Sequence, residues 1–399
     1  MSSSGMGEAP DKGRTDTREA GSGPDGTRPA GPGFSRADWR LIGLAGLAAA
    51  AAGIAHYGGI GGTIAPFVIS ALGLALLASL VGRSVDALGD RLGAGATGVV
   101  QSALGNLPEL FVVLFALKQK LYAVATASLV GSILANVLLV LGLAFLAGGI
   151  KNGPQRFEKA PARTISLLLV LSVAALLVPA LTAALHTPAA GHERGLSIVA
   201  SILLLGLFAA SLPAAIRRRG GGAADETADG GRPEPGRGQG RGHSHAPAWP
   251  LGVALAMLAG TGVGAAFVSD WFVAALQPAM GALGISQAFA GLVIVAIAGN
   301  AVENVVGIQL AVRNQSDYAL AVILQSPLQI TLVVAPALVL LSPLVGAAFT
   351  LVLSPLLIAV LIISVVVAVI VVLDGESNWL EGATLMVLYA IIAAAFWWG

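Results

Sequence analysis

The sequence contains no cysteine, and only 11% of its 399 residues are charged. The absence of cysteine excludes disulfides and metal sites built on thiolates. So little charge, beside 56% hydrophobic residues, excludes an ordinary soluble domain and indicates a polytopic membrane protein. The formal net charge of +1 gives no reason to expect a nucleic-acid partner.

Apolar runs of roughly 17 to 30 residues, long enough to cross a bilayer as helices, recur along the chain. Eleven are predicted, at about 41–57, 61–82, 96–117, 121–149, 164–185, 195–216, 249–269, 284–312, 318–344, 347–373 and 380–398. Lipid requires every backbone polar group to be satisfied within its own segment, and the runs show no period-2 alternation. We therefore predict an all-α polytopic membrane protein with about eleven transmembrane helices.

One stretch of the sequence occurs twice. The segment GNLPELFVVLFALKQKLYAVATASLVGS aligns without gaps, at an offset of 194 residues, with GNAVENVVGIQLAVRNQSDYALAVILQS. The alignment pairs Asn106 with Asn300 and Glu109 with Glu303. Five predicted spans separate the copies, and an odd number means that they cross the membrane in opposite directions. Inverted repeats of this kind are typical of secondary transporters, whose site lies near the bilayer midplane between the copies.

Two polar segments border these repeats. Residues 1–36 are rich in Gly, Ser, Pro and mixed charge, which predicts a disordered tail. Residues 217–248 have a similar composition and are predicted to form a flexible linker. The remaining chain comprises a leading helix with a first five-helix repeat at 37–216, and a second five-helix repeat at 249–399.

The distribution of basic residues predicts the orientation in the membrane. A cytoplasmic N-terminus places nearly all the loop arginines and lysines inside, and leaves only Lys118, Lys120 and Arg194 outside. The tail and the linker are then cytoplasmic, and the C-terminus is external. The compact loops favour a prokaryotic plasma membrane.

Glu109 and Glu303 are the only acidic residues well inside any predicted span. A carboxylate at that depth costs about 2.5 to 3.5 kcal/mol on insertion scales and usually marks an ion pathway. The alternative is that each glutamate is protonated and only joins two helices. Two glutamates at equivalent repeat positions, each three residues after an asparagine, favour the functional interpretation.

Other polar side chains are expected near this pair, because residues three or four apart share one helical face. The candidate cation- and proton-binding residues are Glu109, Glu303, Asn106, Asn300, Ser128, Ser132, Asn136, Gln325, Ser326 and Gln329. We interpret them as converging oxygen ligands, although small and polar residues also join helices to one another.

Oxygen ligands without Cys or His suit Ca²⁺, Mg²⁺ or Mn²⁺ better than zinc or copper. Two carboxylates neutralise one divalent cation, and two protons neutralise the same pair. The residues therefore predict a site that exchanges a divalent cation for protons. Glu109 and Glu303 are the predicted metal ligands of this transported ion, and no resident cofactor is expected.

The same residues resemble a known family. The Ca²⁺/H⁺ antiporters, which are the CAX family of the cation/Ca²⁺ exchanger superfamily, have two signature repeats. The first resembles GNLPELFVVLFALKQKLYAVATASLVGSILANVLLVLGLAFLAGG, and the second resembles GISQAFAGLVIVAIAGNAVENVVGIQLAVRNQSDYALAVILQSPLQITLVVAPALVLL. The resemblance implies an antiporter in which Glu109 and Glu303 bind the cation, most often Ca²⁺, and protons in turn.

The second repeat departs from the family pattern. The family usually has a histidine after the second glutamate, where this chain has Asn304, and a Gly-Ser-Ser sequence where this chain has Gln325, Ser326 and Pro327. A proline common before the second Gly-Asn is Ala296. These departures concern ion selectivity and proton coupling more than the fold.

Three alternatives remain from the sequence. A Na⁺/Ca²⁺-type exchanger shares the LPEL sequence, but it would normally show Gly-Thr/Ser-Ser before the Pro-Glu and an acid in the second copy at SxPD. Neither Gly105-Asn106 nor Asn300 fits that pattern. A passive cation channel usually builds its filter from a ring of subunits rather than from repeats within one chain. An intramembrane protease needs a catalytic dyad, usually of aspartates, so we expect a transporter and not an enzyme.

Overall fold

The computed structural model describes residues 34–92, 104–221 and 249–398. Predictions for the tail before residue 34, for residues 222–248 of the linker and for residues 96–103 of the third span lie outside this part. All the described residues belong to one compact unit.

The described residues form α-helices and one short β-ribbon. In the first half the helices are α1 (Arg36–Gly58), α2 (Ala65–Leu92), α3 (Leu107–Lys118), α4 (Tyr122–Asn152), α5 (Lys159–Ala184) and α6 (Glu193–Gly221). In the second half they are α7 (Leu251–Leu283), α8 (Gln287–Gly299), α9 (Ala301–Val312), α10 (Ser316–Val345), α11 (Pro355–Leu373) and α12 (Trp379–Trp397). Strands β1 (Gln155–Arg156) and β2 (Glu376–Ser377) pair antiparallel beside α4 and α12.

The predicted fold class is confirmed as an all-α membrane architecture. Within the described residues, nine helices are long and apolar enough to span a bilayer, and α8 with α9 would make a tenth, bent by 64°. The remaining predicted span, 96–117, is represented by α3, which has 12 residues. The predicted total of eleven is therefore not confirmed.

Both ends of the first half differ slightly from the predicted boundaries. Helix α1 begins at Arg36, because the Ser35 side chain accepts a hydrogen bond from Asp38 N and Asp38 bonds back to Ser35 N, which forms a capping box. Asp38 also pairs with Arg83 and so fastens α1 to α2. At the other end, α6 continues to Gly221, past the predicted start of the linker.

The internal repeat is present in the backbone as well as in the sequence. Asn106 has φ −96° and ψ 20°, and its counterpart Asn300 has φ −96° and ψ 21°. Lys120 and Asn314, also 194 residues apart, both have positive φ, at 62° and 59°. Helix α4 packs on α9 and α12, while its counterpart α10 packs on α3 and α6. Corresponding helices of the two repeats therefore meet each other across the interface.

The polar helices of the two repeats share a further irregularity. Helix α4 contains a π-helical turn at Ala135–Val140, and α10 contains one at Ile330–Val334. Such turns widen a helix locally and are frequent at functional sites. Each follows shortly after a predicted site serine, Ser132 or Ser326.

Helices α4 and α8 cross with their backbones in contact. A Cβ atom added at Gly131 would lie 2.2 Å from the Leu292 oxygen, and one at Gly291 would lie 2.5 Å from the Val124 oxygen. Only glycine allows this approach. The crossing brings the serines of α4 beside the end of α8, where Gly299 and Asn300 follow.

Candidate functional site

Glu109 lies in the first turn of α3, directly beside the second repeat. Asn106 is the N-cap of this helix, and Pro108 occupies one of the first helical positions, where a missing N–H costs nothing. The positive end of the helix dipole favours a carboxylate there. Glu109 is nevertheless only 6% exposed, so protein groups have replaced its hydration shell.

One carboxylate oxygen of Glu109 is held by both repeats. Glu109 Oε1 accepts a hydrogen bond from Ser132 Oγ at 2.6 Å and another from Asn300 Nδ2. Asn300 Nδ2 also lies 3.0 Å from Ser132 Oγ. Glu109 and Ser132 of the first repeat and Asn300 of the second repeat therefore form one buried cluster.

The other oxygen, Glu109 Oε2, is buried and has no hydrogen-bond partner among the described residues. A cavity of about 10 Å³ lies against this side chain, and it is lined by Glu109, Val112, Val113, Ser128, Leu129, Ser132, Val295 and Gly299. Leaving a buried acceptor unpaired costs about 1 to 3 kcal/mol. This oxygen is consequently the atom of the cluster best suited to receive a cation or a proton.

The carbonyl oxygen of Asn300 is occupied by neighbouring donors. Asn136 Nδ2 donates to Asn300 Oδ1 at 3.0 Å, and Ser326 Oγ donates to the same atom at 3.2 Å. The sequence predicts that the amides act as oxygen ligands. In this conformation Asn300 instead presents its N–H groups to Glu109, an orientation that residue spacing does not reveal.

A second amide pair joins the repeats. Asn106 Nδ2 donates to Gln329 Oε1 at 2.9 Å. Both side chains are buried, Asn106 at 5% and Gln329 at 9% exposure. The predicted residues Asn106 and Gln329 therefore lie together, across the interface between the repeats.

Glu303 occupies the position in α9 that Glu109 occupies in α3. It is close enough to Glu109 for their charges to interact. Its side chain is partly exposed, whereas Glu109 is buried. Ser326, the counterpart of Ser132, donates to Asn300. The two glutamates thus lie near one another in different surroundings.

Two of the predicted residues lie at the margin. Ser128 lines the cavity beside Glu109, and its hydroxyl donates to Ala125 O at 3.0 Å. Gln325 is exposed on α10. The structure therefore brings most of the predicted set together around Glu109 and leaves Gln325 outside it.

Sequence reasoning missed one residue of the site. A Cβ atom added at Gly299 would lie 2.8 Å from Glu109 Cγ, so glycine is required for the second repeat to approach the carboxylate. The Gly-Asn pair that recurs in both repeats was the available signal. Within residues 34–92, 104–221 and 249–398, no group of three or more His, Cys, Asp or Glu side chains is placed so that it could hold a metal ion.

Comparison with known proteins adds independent information. A family model described as sodium/calcium exchanger protein matches residues 63–216 and 253–398, and the gap between these stretches contains the predicted linker. The Ca(2+)/H(+) antiporter of Synechocystis sp. is 31% identical over 355 residues, which cover 86% of this chain and 93% of that protein. The Ca(2+)/H(+) antiporter ChaA of Bacillus subtilis is 32% identical over 331 residues, covering 83% and 91%.

A solved structure agrees with the sequence comparisons. The structure of native YfkE is 29% identical and superimposes with a TM-score of 0.73, covering 90% of this chain and 99% of that one. The similarity therefore extends over both repeats and is not restricted to the residues around Glu109.

Proposed function

This chain belongs to the sodium/calcium exchanger protein family, and we propose that it is a secondary active antiporter that exchanges Ca²⁺ for protons. One observation carries the proposal. Glu109 is buried where the two repeats meet, with one carboxylate oxygen held by both repeats and the other unpartnered. The relatives named Ca(2+)/H(+) antiporter support the choice of ions.

The charge balance of the two glutamates explains the exchange. Glu109 and Glu303 together carry two negative charges, which one divalent cation or two protons neutralise. The pair is costly to leave bare in a membrane, so release of one occupant favours binding of the other. Inverted repeats allow the site to open to one side of the membrane at a time, which couples the two movements.

The chemistry of the cluster favours Ca²⁺ as the cation. Its available ligands are carboxylate, hydroxyl and amide oxygens, which suit hard cations. Ca²⁺ accepts flexible shells of about six to eight oxygens, whereas Mg²⁺ demands a near-ideal octahedron. The proposed residues around the two glutamates are Ser128, Ser132, Asn106, Asn300, Asn136, Ser326 and Gln329, and the exposed Gln325 lies outside this set. Mn²⁺ and Mg²⁺ are the competing substrates to test.

The test is proton movement in vesicles reconstituted with the pure protein and a pH-sensitive dye. We expect Ca²⁺ to drive proton release, and Glu109→Gln and Glu303→Gln each to reduce it by more than about 100-fold. Even residues that only support a metal ligand are worth about 10- to 100-fold in metal affinity. Gln keeps the size of Glu but removes the charge.

The matched control is Glu193→Gln, a half-exposed carboxylate at the start of α6 that accepts a hydrogen bond from the nearby Gly191 N. It should retain wild-type exchange. Near-wild-type exchange in Glu109→Gln or Glu303→Gln would contradict the role of that glutamate. Ca²⁺ flux that requires Na⁺ instead of protons would indicate a Na⁺/Ca²⁺-type exchanger, and flux without any counter-ion would indicate a channel.

The protein is an integral membrane protein, and its orientation is part of the proposal. We place the N-terminus and the 217–248 linker in the cytoplasm and the C-terminus outside a prokaryotic plasma membrane. Because the chain has no cysteine, single cysteines at Gly230 and Gly399 can be labelled from one side of the membrane. Labelling of both from the same side would overturn the inverted arrangement.

A further inference from the structure

Asn136 holds the centre of the buried amide network. It lies in the π-helical turn of α4 and is 0% exposed. Its Nδ2 atom donates to Ser132 O at 2.9 Å, to Asn300 Oδ1 at 3.0 Å and to Ser326 Oγ at 3.2 Å. Its own Oδ1 has no hydrogen-bond partner among the described residues. Asn136 therefore acts in this network entirely as a donor.

Backbone carbonyls fix the direction of both amides. The Ser132 carbonyl oxygen can only accept, so the Asn136 side chain must turn its NH₂ group toward it. The same group then meets Asn300 Oδ1, which Ser326 Oγ also approaches. Asn300 Nδ2 in turn donates to the Ala296 carbonyl oxygen at 2.9 Å. Asn300 is thus held at both ends with its N–H groups toward Glu109.

We propose that Asn136 is a positioning residue, which acts on the transported cation through Asn300 and Glu109 without coordinating it. By holding Asn300 as a donor to Glu109 Oε1, Asn136 fixes the carboxylate and leaves Oε2 as the oxygen that receives the cation. Preorganised ligands bind more tightly because less freedom is lost on binding. This inference rests on the exchange function proposed above.

The second repeat provides an internal comparison. The counterpart of Asn136 is Ile330, which can donate no side-chain hydrogen bond. In that repeat Ser326 donates to Asn300 of the same repeat, while in the first repeat Ser132 donates to Glu109. The first repeat, which contains Asn136, is thus the one in which the serine, Ser132, bonds to the glutamate of the same repeat, Glu109.

The test is Asn136→Leu, measured as exchange rate against Ca²⁺ concentration in the vesicles described above. Leucine has nearly the same shape, and because Oδ1 is unpartnered the substitution removes only the three donated contacts. We expect the apparent KM for Ca²⁺ to rise about five-fold, which corresponds to roughly one net hydrogen bond, with the maximal rate within about two-fold of wild type. A merely structural role would lower the maximal rate and leave KM unchanged.

The control is Thr126→Val, which lies on the exposed side of the same helix and bonds only to the backbone of its own turn. This variant should match the wild type in both its apparent KM for Ca²⁺ and its maximal rate. Ser326→Ala removes the other donor to Asn300 Oδ1, so it should raise KM in the same direction. The effects of Asn136→Leu and Ser326→Ala should be non-additive, because both act through one atom.

Each other outcome contradicts the proposal. An unchanged KM in Asn136→Leu means that the network does not set affinity, and a lower KM means that a released Asn300 serves as a ligand. If Asn136→Leu fails to insert, Ser326→Ala decides the same question. A wild-type protein without Ca²⁺-driven proton movement would instead refute the proposed function itself.

Discussion

Helices α3 and α9 are copies of one another, yet they are covered to different extents. Their N-caps, Asn106 and Asn300, have the same backbone conformation within about one degree. Val112 on α3 is 1% exposed, whereas its counterpart Val306 on α9 is 39% exposed. The two helices therefore have the same backbone conformation at their N-caps but different exposure. An exchanger requires such a difference if its site is to open on one side of the membrane at a time.

The polar helices α4 and α10 differ in a related way. Gly131 of α4 touches the backbone of α8, but its counterpart in α10 is Gln325, an exposed side chain. Helix α4 of the first repeat is therefore fixed to α8 by backbone contact, whereas the equivalent position of α10 carries a glutamine side chain. The two repeats thus share their backbone conformation at Asn106 and Asn300 but differ in the side chain at this helix contact.

The largest expected effect concerns this pair of positions. Gly131→Ala places a methyl group 2.2 Å from the Leu292 oxygen, and backbone cannot move aside as a side chain can. We expect destabilisation of about 3 kcal/mol or more, seen as loss of folded protein in detergent and a lower Tm. Gln325→Ala, the matched change in the second repeat, should stay within about 0.5 kcal/mol of wild type. If Gly131→Ala and Gln325→Ala lower the stability equally little, the two positions do not differ in how tightly they are packed.

An effect of intermediate size is expected for the accessibility of α3 and α9 to a water-soluble reagent. Single cysteines at Val112 and Val306 can be introduced without interference, because the chain has none. We expect a charged thiol reagent to modify most of the Val306→Cys protein and almost none of the Val112→Cys protein, since thiol modification follows exposure. Protection of both would show that lipid, and not water, covers the exposed face of α9.

The smallest expected effect concerns Asn304, which replaces the histidine of the family pattern. An imidazole titrates between about pH 5 and 8, whereas an amide does not. Asn304→His should therefore retain exchange and add a pH-dependent component to its rate in that range. Asn304→Gln, which stays uncharged, serves as the control. A pH profile identical to wild type would place residue 304 away from the ion path.

Much of this comparison could be predicted from the sequence. The offset of 194 residues, the paired glutamates and the two Asn residues that precede them all follow from reading the chain. A carboxylate is rare inside an apolar span. Its occurrence at equivalent positions of both repeats therefore indicates a functional site. Asn106 and Asn300 then follow from helical spacing before these glutamates, and Ser132 follows from its polar stripe with Ser128 and Asn136 on the next predicted span.

The orientation of individual polar groups could not be predicted. Gln325 and Gln329 lie one helical turn apart, yet Gln325 is exposed and Gln329 is buried. Residue spacing assigns a common face only in a regular helix, and here Pro327 lies between the two residues and a π-helical turn begins at Ile330. The direction of the Asn300 amide likewise depends on contacts from three other segments, which no local pattern encodes.

The volume of the cavity beside Glu109 limits how much water can accompany an ion there. At about 10 Å³ it has room for roughly one water molecule. If Glu109 binds the transported ion as proposed, the ion enters a cavity of this size with almost none of its hydration shell. Mg²⁺ gives up its waters reluctantly, while Ca²⁺ tolerates a loose and variable shell. In the proposed mechanism, a cavity of this size therefore favours the cation that loses its water molecules more readily.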